Sequence, residues 1–317
     1  MHGVRLTPGS SLIELRVRLF NRTDDVQTFL WWANVAARVG DDYQSFFPTD
    51  VHVVADHAKR AVTTFPQASG SYYGVDYSRR VDAAHPDADR IDWYRNIPVP
   101  TSYMCLGSAD DFFGGYDHGR GAGFVHWADH RISPGKKQWT WGNSPFGWAW
   151  DRNLTDADGP YVELMAGVYT DNQPDFTFLA PGETKSFSQY WYPIQDIGPA
   201  HQATREGAVS LAVDGAYVRI GFAPTRARTV TLALTTDGRR LWQQQVDCAP
   251  GAPATVTVPL SSEVAPDRLT LEVSDGDLPL VTWTPRPAPA AIEVPEPADE
   301  PPAPAEIATV EELYLTG

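Results

Sequence analysis

The chain has 317 residues, a net charge of -15 at pH 7 and aromatic residues at 12%. An acidic balance of this size argues against nucleic acid or an anionic membrane as partner, because both are held by basic surfaces, and no apolar run is long enough to span a bilayer. The length suits two domains rather than one. Cys105 and Cys248 lie far apart, so no disulfide is expected and a reducing, cytoplasmic setting is.

Leu12–Phe20 (LIELRVRLF) sets Arg16 and Arg18 on one side against Val17 and Leu19 on the other, and is expected to be a strand. Asn21–Asp25 makes a turn, and Val26–Val35 returns as the next strand. Trp31 and Trp32 are adjacent there and must face opposite ways, so at least one of them leaves the core. Asp41–Asp56 reads as a loop and a short strand. Ser69–Tyr103 has no sustained period but carries Tyr72, Tyr73, Tyr77, Trp93 and Tyr94; that aromatic content marks an ordered, functional excursion rather than a disordered one. Ser102–His130 is expected to hold two strands around a glycine-rich turn region, DDFFGGYDHGRGAG. In Lys136–Trp150 (KKQWTWGNSPFGWAW), Trp139 and Trp141 share one face of a strand, and Phe146-Gly147-Trp148 falls on a loop beyond it.

Gly159–Ile194 organises the rest. From Tyr161 to Tyr169 the residues alternate: Val162, Leu164, Ala166 and Val168 on one side, Tyr161, Glu163, Met165 and Tyr169 on the other. The aliphatic side should pack between two sheets. The other side presents a carboxylate flanked by tyrosines. Asp171-Asn172-Gln173-Pro174 and Ala180-Pro181-Gly182-Glu183 have turn chemistry, and Ser186–Tyr192 closes as an aromatic strand.

This order of a strand Glu, a D-N-Q-P loop, a P-G-E turn and an aromatic strand resembles the C-terminal catalytic segment of aldose 1-epimerases, the galactose-mutarotase family. The resemblance implies that Glu163 is a catalytic base. The strand with Trp32 and Asn34 sits where those enzymes carry a T-N-H signature, but Val35 follows Asn34, so their general-acid histidine is not at this place. The runs FLWWANVAARVGDDYQSFFP, NIPVPTSYM, DFFGGYDH, PGKKQWTWGN and GPYVELMAGVYTDNQPDF together resemble the family of the domain of unknown function 5107 over about residues 1–200. That resemblance implies a mutarotase-like β-supersandwich, with tetratricopeptide repeats often following.

Several groups have chemistry to offer. As a base Glu163 needs partial burial to bring its pKa towards working pH; the bland alternative is a strand Glu paired with Arg152. Glycoside hydrolysis needs a second carboxyl group across the scissile bond, with Asp110, Asp111, Asp117, Asp151 and Asp171 as candidates. Asp110 and Asp111 are favoured by the tight Phe112-Phe113-Gly114-Gly115 beside them. His126 and His130 on one strand would stand too far apart to share an ion, so no metal and no cofactor are expected. His118, His126, His130 or His57 could instead supply an acid. Nine of the 11 tryptophans lie between Trp31 and Trp191. Their flat faces suit pyranose rings, and Trp32, Asn34, His118, His130, Trp141, Trp148 and Asp171 are the expected ligand contacts. The expected ligand is a carbohydrate; hydrolysis of a glycoside is favoured over epimerisation, because the histidine position is not filled and carboxylates are plentiful, and recognition alone is the alternative.

Glu206–Thr284 has about seven short alternating runs separated by Asp-Gly or Pro turns, the pattern of an immunoglobulin-like sandwich. Pro285–Ala305 is proline-rich and acidic, an extended linker, and Thr309-Val310-Glu311-Glu312 can start a helix. The chain opens on a strand without a partner before it and ends as a helix begins. It therefore reads as an internal piece: 1–203 a supersandwich with its N-terminal part missing, 204–285 an immunoglobulin-like β-sandwich, and 286–317 a linker with the start of helical repeats.

Overall fold

The computed structural model describes residues 1–172, 175–260, 264–287 and 289–316. Gln173 and Pro174 of the expected D-N-Q-P loop lie outside the described residues. The architecture is all β, as the alternating runs require. Among the described residues two six-stranded sheets face each other. The first runs His2–Leu6, Ile13–Phe20, Thr184–Gln195, Ala122–Trp127, Phe112–Asp117, Tyr43–Phe46; the second runs Trp31–Arg38, Tyr161–Val168, Gly135–Thr140, Thr101–Cys105, Val53–Ala55, Val62–Thr64. Val162, Leu164, Ala166, Tyr103, Phe47 and Phe113 fill the space between them.

The first sheet is covered on both faces. Phe112, Tyr116, Val125, Tyr192 and Ile194 on its far side pack against Ile197, Ala203, Ala208 and Ala223. These begin a second sandwich of two four-stranded sheets: Gln202–Ala203, Gly207–Asp214, Tyr217–Pro224, Ala254–Pro259, and Arg239–Cys248, Arg228–Thr236, Leu269–Asp275, Leu278–Trp283. Its core holds Phe222, Leu232, Leu271 and Trp283. The Asp237-Gly238 turn joins two strands with φ of 48° and 76°, the left-handed pair that a tight hairpin needs.

Five details differ from the sequence expectation. His2–Leu6 is an edge strand paired with Ile13–Phe20, so the Leu12–Phe20 strand does have a partner before it. Gly114 and Gly115 are not a turn but the middle of strand Phe112–Asp117. A Cβ at either would strike the Phe124 carbonyl and Phe46 ring, or the Tyr43 hydroxyl, so glycine is there for close approach. Pro145–Thr155 is a helix, not a loop. Proline at its first position has φ already set, and lacks an N–H that would go unpaired there. His130 is beyond its strand, which ends at Trp127. Lastly, the aromatics of the 69–103 excursion serve packing first, since Tyr72, Tyr77 and Tyr94 are buried in the core.

The proline-rich segment is extended, as expected, but it is held. Arg286 reaches back to Asp110 at 2.6 Å and Asp50 at 3.9 Å, and the Ala298 N–H donates to the Lys59 carbonyl at 2.7 Å. Val310–Thr316 is helical, with the Glu312 N–H donating to Thr309 Oγ1 at 3.1 Å.

Gly115→Val tests the close approach. Overpacking against buried Tyr43 should cost about 2 kcal/mol, read as a lower denaturant midpoint with an unchanged slope. An unchanged midpoint would mean that the strands part without cost.

Candidate functional site

Alternation in the second sheet divides its side chains between the core and an outer face. On strand Tyr161–Val168 the residues Val162, Leu164, Ala166 and Val168 are fully buried against the first sheet. Tyr161 and Glu163 are half-buried on the outer face. In register, Glu163 lies opposite Ala36 on one side and Trp139 on the other. Asn34 and Arg38 flank it from the Trp31–Arg38 strand, opposite Met165 and Tyr161. Asn34, Ala36, Arg38, Tyr161 and Glu163, with Leu154 and Thr155 from the end of the helix and Asp158 beyond it, line a cleft of about 660 Å³.

Tyr161 is the aromatic residue of the lining, and further rings share the outer face. Trp32 turns to this face, its ring over Gly167 where a Cβ would collide with it, and its indole N–H has no partner among the described residues. Trp31 goes the other way, to the Phe187 ring and to the Gln189 side-chain oxygen at 3.1 Å, as adjacent strand residues must. Trp141 donates its indole N–H to the Tyr161 hydroxyl at 3.2 Å and meets Trp139 edge-on.

The electrostatics come from Lys137, which sequence reasoning passed over. It shares the outer face with Trp139 and lies opposite Met165, a diagonal neighbour of Glu163. Burial pushes the Glu163 carboxyl above the ordinary carboxylate range, an effect that Lys137 partly offsets. Burial pushes the Lys137 amine down to about 8, partly offset by Glu163. Lys137 Nζ is 2.8 Å from His57 Nδ1. An ammonium only donates, so His57 Nδ1 accepts and its proton sits on Nε2. Burial and then Lys137 hold the His57 pKa below its usual value. The signal in the sequence was the period of two, which places Lys137 on the face of Trp139 and Trp141.

The other nominated residues are dispersed. Asp171 does not line the cleft; it lies 3.7 Å from Lys59, on the turn that follows His57. Asp110 accepts from Arg286 and Gln202. Asp111 accepts from the backbone and ring of His130 at 2.8 Å each. Both aspartates act electrostatically on Lys136, whose side chain points into the core, so the second sheet separates them from Glu163. Asp111, Asp129 and His130 cluster within ligand distance of one another, but the pairing of Asp111 with His130 accounts for that arrangement. His118 stacks on Trp93 and bonds the Gln44 side-chain oxygen at 2.9 Å, beside a separate cavity shared with His201 and Arg219. Trp148 donates to Asn143 at 3.0 Å and does not line the cleft. Asp117 caps the backbone of Arg120. Asp151 is buried beneath the helix, with Arg152, the residue proposed to pair Glu163, acting on it instead.

Residues 4–194 match the model of the family described as domain of unknown function DUF5107, and the chain belongs to that family. Residues 202–283 match the model described as YphG-like protein, second domain. Among solved structures the chain is similar to a TPR-domain containing protein from Parabacteroides distasonis, with 25% identity, a TM-score of 0.47, and coverage of 67% of this chain and 31% of that one. It is also similar to a Klebsiella pneumoniae protein proposed to be an aldose 1-epimerase, with 12% identity, a TM-score of 0.41, and coverage of 62% and 46%. A galactose mutarotase related enzyme from Lactobacillus acidophilus has 10% identity, a TM-score of 0.36, and coverage of 62% of each chain. The chain thus spans about a third of the first relative and less than half of the second. These likenesses concern the fold. No helix among the described residues is long and apolar enough to cross a membrane.

The depressed Lys137 pKa has a consequence for stability. Unfolded, the amine titrates near ~10.4; folded, it does so at about 8. Between those values the unfolded chain holds the extra proton, so stability rises with pH in that window. Lys137→Met should remove this rise from denaturation midpoints measured from pH 7.5 to 10. A rise of equal size in the variant would contradict the assignment.

Proposed function

We propose that the Glu163 cleft binds a carbohydrate and moves protons on it, with Glu163 as base and the Lys137–His57 pair as acid. The observation that carries this reading is a pair of opposite titrating groups on one face of the second sheet, Glu163 lining the cleft and Lys137 buried beside it. The carboxyl is raised by burial and the amine brought down to about 8, on neighbouring strands. Environments that bring an acid and a base towards neutral pH suit general acid–base work. Trp32, Trp139 and Tyr161 offer apolar faces to a pyranose ring, while Asn34 and Arg38 offer donors to its hydroxyls.

The chemistry that fits is ring opening or epimerisation of a sugar. Glu163 would take the proton of the anomeric hydroxyl, and the acid would protonate the ring oxygen as the ring C–O bond breaks. Lys137 and His57 would fill the role left open beside Asn34, where Val35 stands. Hydrolysis of a glycoside is the second reading. It needs another carboxyl group facing Glu163, and Asp158 is the one that lines the same cleft. The family model and the fold are compatible with either, and with recognition alone.

Glu163→Gln should lower turnover of a responsive aldose or glycoside by about 100-fold or more while its affinity stays within about threefold. The pH–rate profile should fall on the alkaline side near pH 8, as Lys137 loses its proton, and on the acid side as Glu163 gains one. Full turnover in Glu163→Gln would remove Glu163 from the chemistry. Sugar binding with no turnover of any aldose or glycoside would leave a recognition module.

A further inference from the structure

The helix Pro145–Thr155 is turned inside out for a surface helix. Such helices normally face their apolar stripe to the core, but this one buries Gly147 and Asp151 and exposes Phe146, Trp150 and Leu154 at 58, 41 and 54%. These three are spaced four residues apart and so share one side. Gly147 is at the buried turn because the helix backbone lies against the Trp141 and Gly142 carbonyls, leaving no room for a Cβ.

The exposed stripe is continuous with the Glu163 cleft. Trp139 is the cross-strand partner of Glu163. Trp141, two residues and about 7 Å further along, meets Trp139 at 5.3 Å between ring centroids. Trp150 stacks on Trp141 at 4.9 Å with planes 12° apart. Leu154, at the end of the stripe, lines the cleft itself. The rings therefore form a connected wall that starts at the carboxyl and runs out onto the helix. Arg152 is the one cation on the helix, and Asp156 and Asp158 follow its end, so this wall is suited to uncharged rings rather than anionic ones.

We propose that this wall is an extended subsite for a neutral oligosaccharide, whose reacting unit occupies the Glu163 cleft and whose following units lie along Trp141, Trp150 and Phe146. The inference rests on the reading of the cleft as a sugar site and narrows its substrate class from free monosaccharides to chains. Flat indole faces pack against the C–H faces of successive rings. A wall stepping out of the cleft therefore adds affinity for each further unit that it touches.

The test is calorimetric titration of the 317-residue chain with cello-, malto-, manno- and xylo-oligosaccharides of increasing length, each beside its monosaccharide. In at least one series the dissociation constant should fall about tenfold or more between monosaccharide and trisaccharide. Trp150→Ala should abolish that gain while leaving monosaccharide affinity within about twofold. Phe146→Ala, at a more exposed position, should reduce the gain too, and it keeps the test valid if Trp150→Ala fails to fold. Affinity independent of chain length, or a gain that survives both substitutions, would overturn the extended subsite and leave the cleft reading standing. No binding of any monosaccharide or oligosaccharide would overturn both. Concentration-dependent dimerisation of the wild-type chain that Trp150→Ala abolishes would also overturn it, assigning the stripe to a second copy of the chain.

Discussion

The site depends on the register of one strand, Gly135–Thr140, between Tyr161–Val168 and Thr101–Cys105. Two lysines stand side by side in it, and the period of two sends Lys136 into the core and Lys137 to the outer face. Both are buried, at 2% and 3% exposure, but only Lys137 meets Glu163 and His57. Lys136 has no hydrogen-bond partner among the described residues, and burial lowers its pKa while Asp50, Asp110 and Asp111 act to raise it. Slipping the strand by one residue would exchange the two lysines and take Trp139 off the face of Glu163. The core-facing Gln138, which accepts from Ser45 Oγ, opposes such a slip, because the slip would break that bond and bring the Trp139 ring into the layer of Val162, Leu164 and Ala166. Packing and chemistry therefore share one constraint.

Around that strand the fold supplies rigidity on one side and access on the other. The first sheet is packed on both faces, against the second sheet and against the start of the second sandwich, and its Gly114-Gly115 pair lets neighbouring chains approach without a gap. The second sheet is covered over part of its outer face, where Ser102, Met104, Lys137 and Met165 are buried, and the part around Glu163 carries the cleft. Arg286 clamps the segment after the second sandwich onto Asp50 and Asp110, and Ala298 bonds the turn that carries Lys59. Lys59 in turn pairs with Asp171. The proline-rich stretch thus follows the body of the protein as far as the turn after His57.

Much of this was legible in the sequence, and the parts that were not have identifiable causes. Glu163 opposite an aliphatic row, and Trp31 opposed to Trp32, follow from alternation and needed no tertiary information. The helix at Pro145 was hidden because its apolar residues face outward, so the aromatic run suggested a strand and loop; Ser144-Pro145 was the local signal for its start. Gly114-Gly115 suggested a turn because glycine does so by default, whereas here it answers a clash visible only in three dimensions. Asp110, Asp111 and His130 were attractive by residue type, but their partners Arg286 and Gln202, and each other, are set by long-range packing. Lys137 had no motif at all. Its role comes from sitting between Glu163 and His57, residues far apart in the chain.

The central claim is that Glu163, in the cleft, and Lys137, buried beside it, titrate as neighbours. The most direct test is nitrogen-15 NMR titration of the Lys137 side chain in the wild-type protein and in Glu163→Gln. The account predicts a midpoint of about 8 in the wild type and a lower one in the variant, because the Glu163 carboxylate favours the charged ammonium. A midpoint near the ordinary lysine value of ~10.4, or one that Glu163→Gln leaves unmoved, would contradict it.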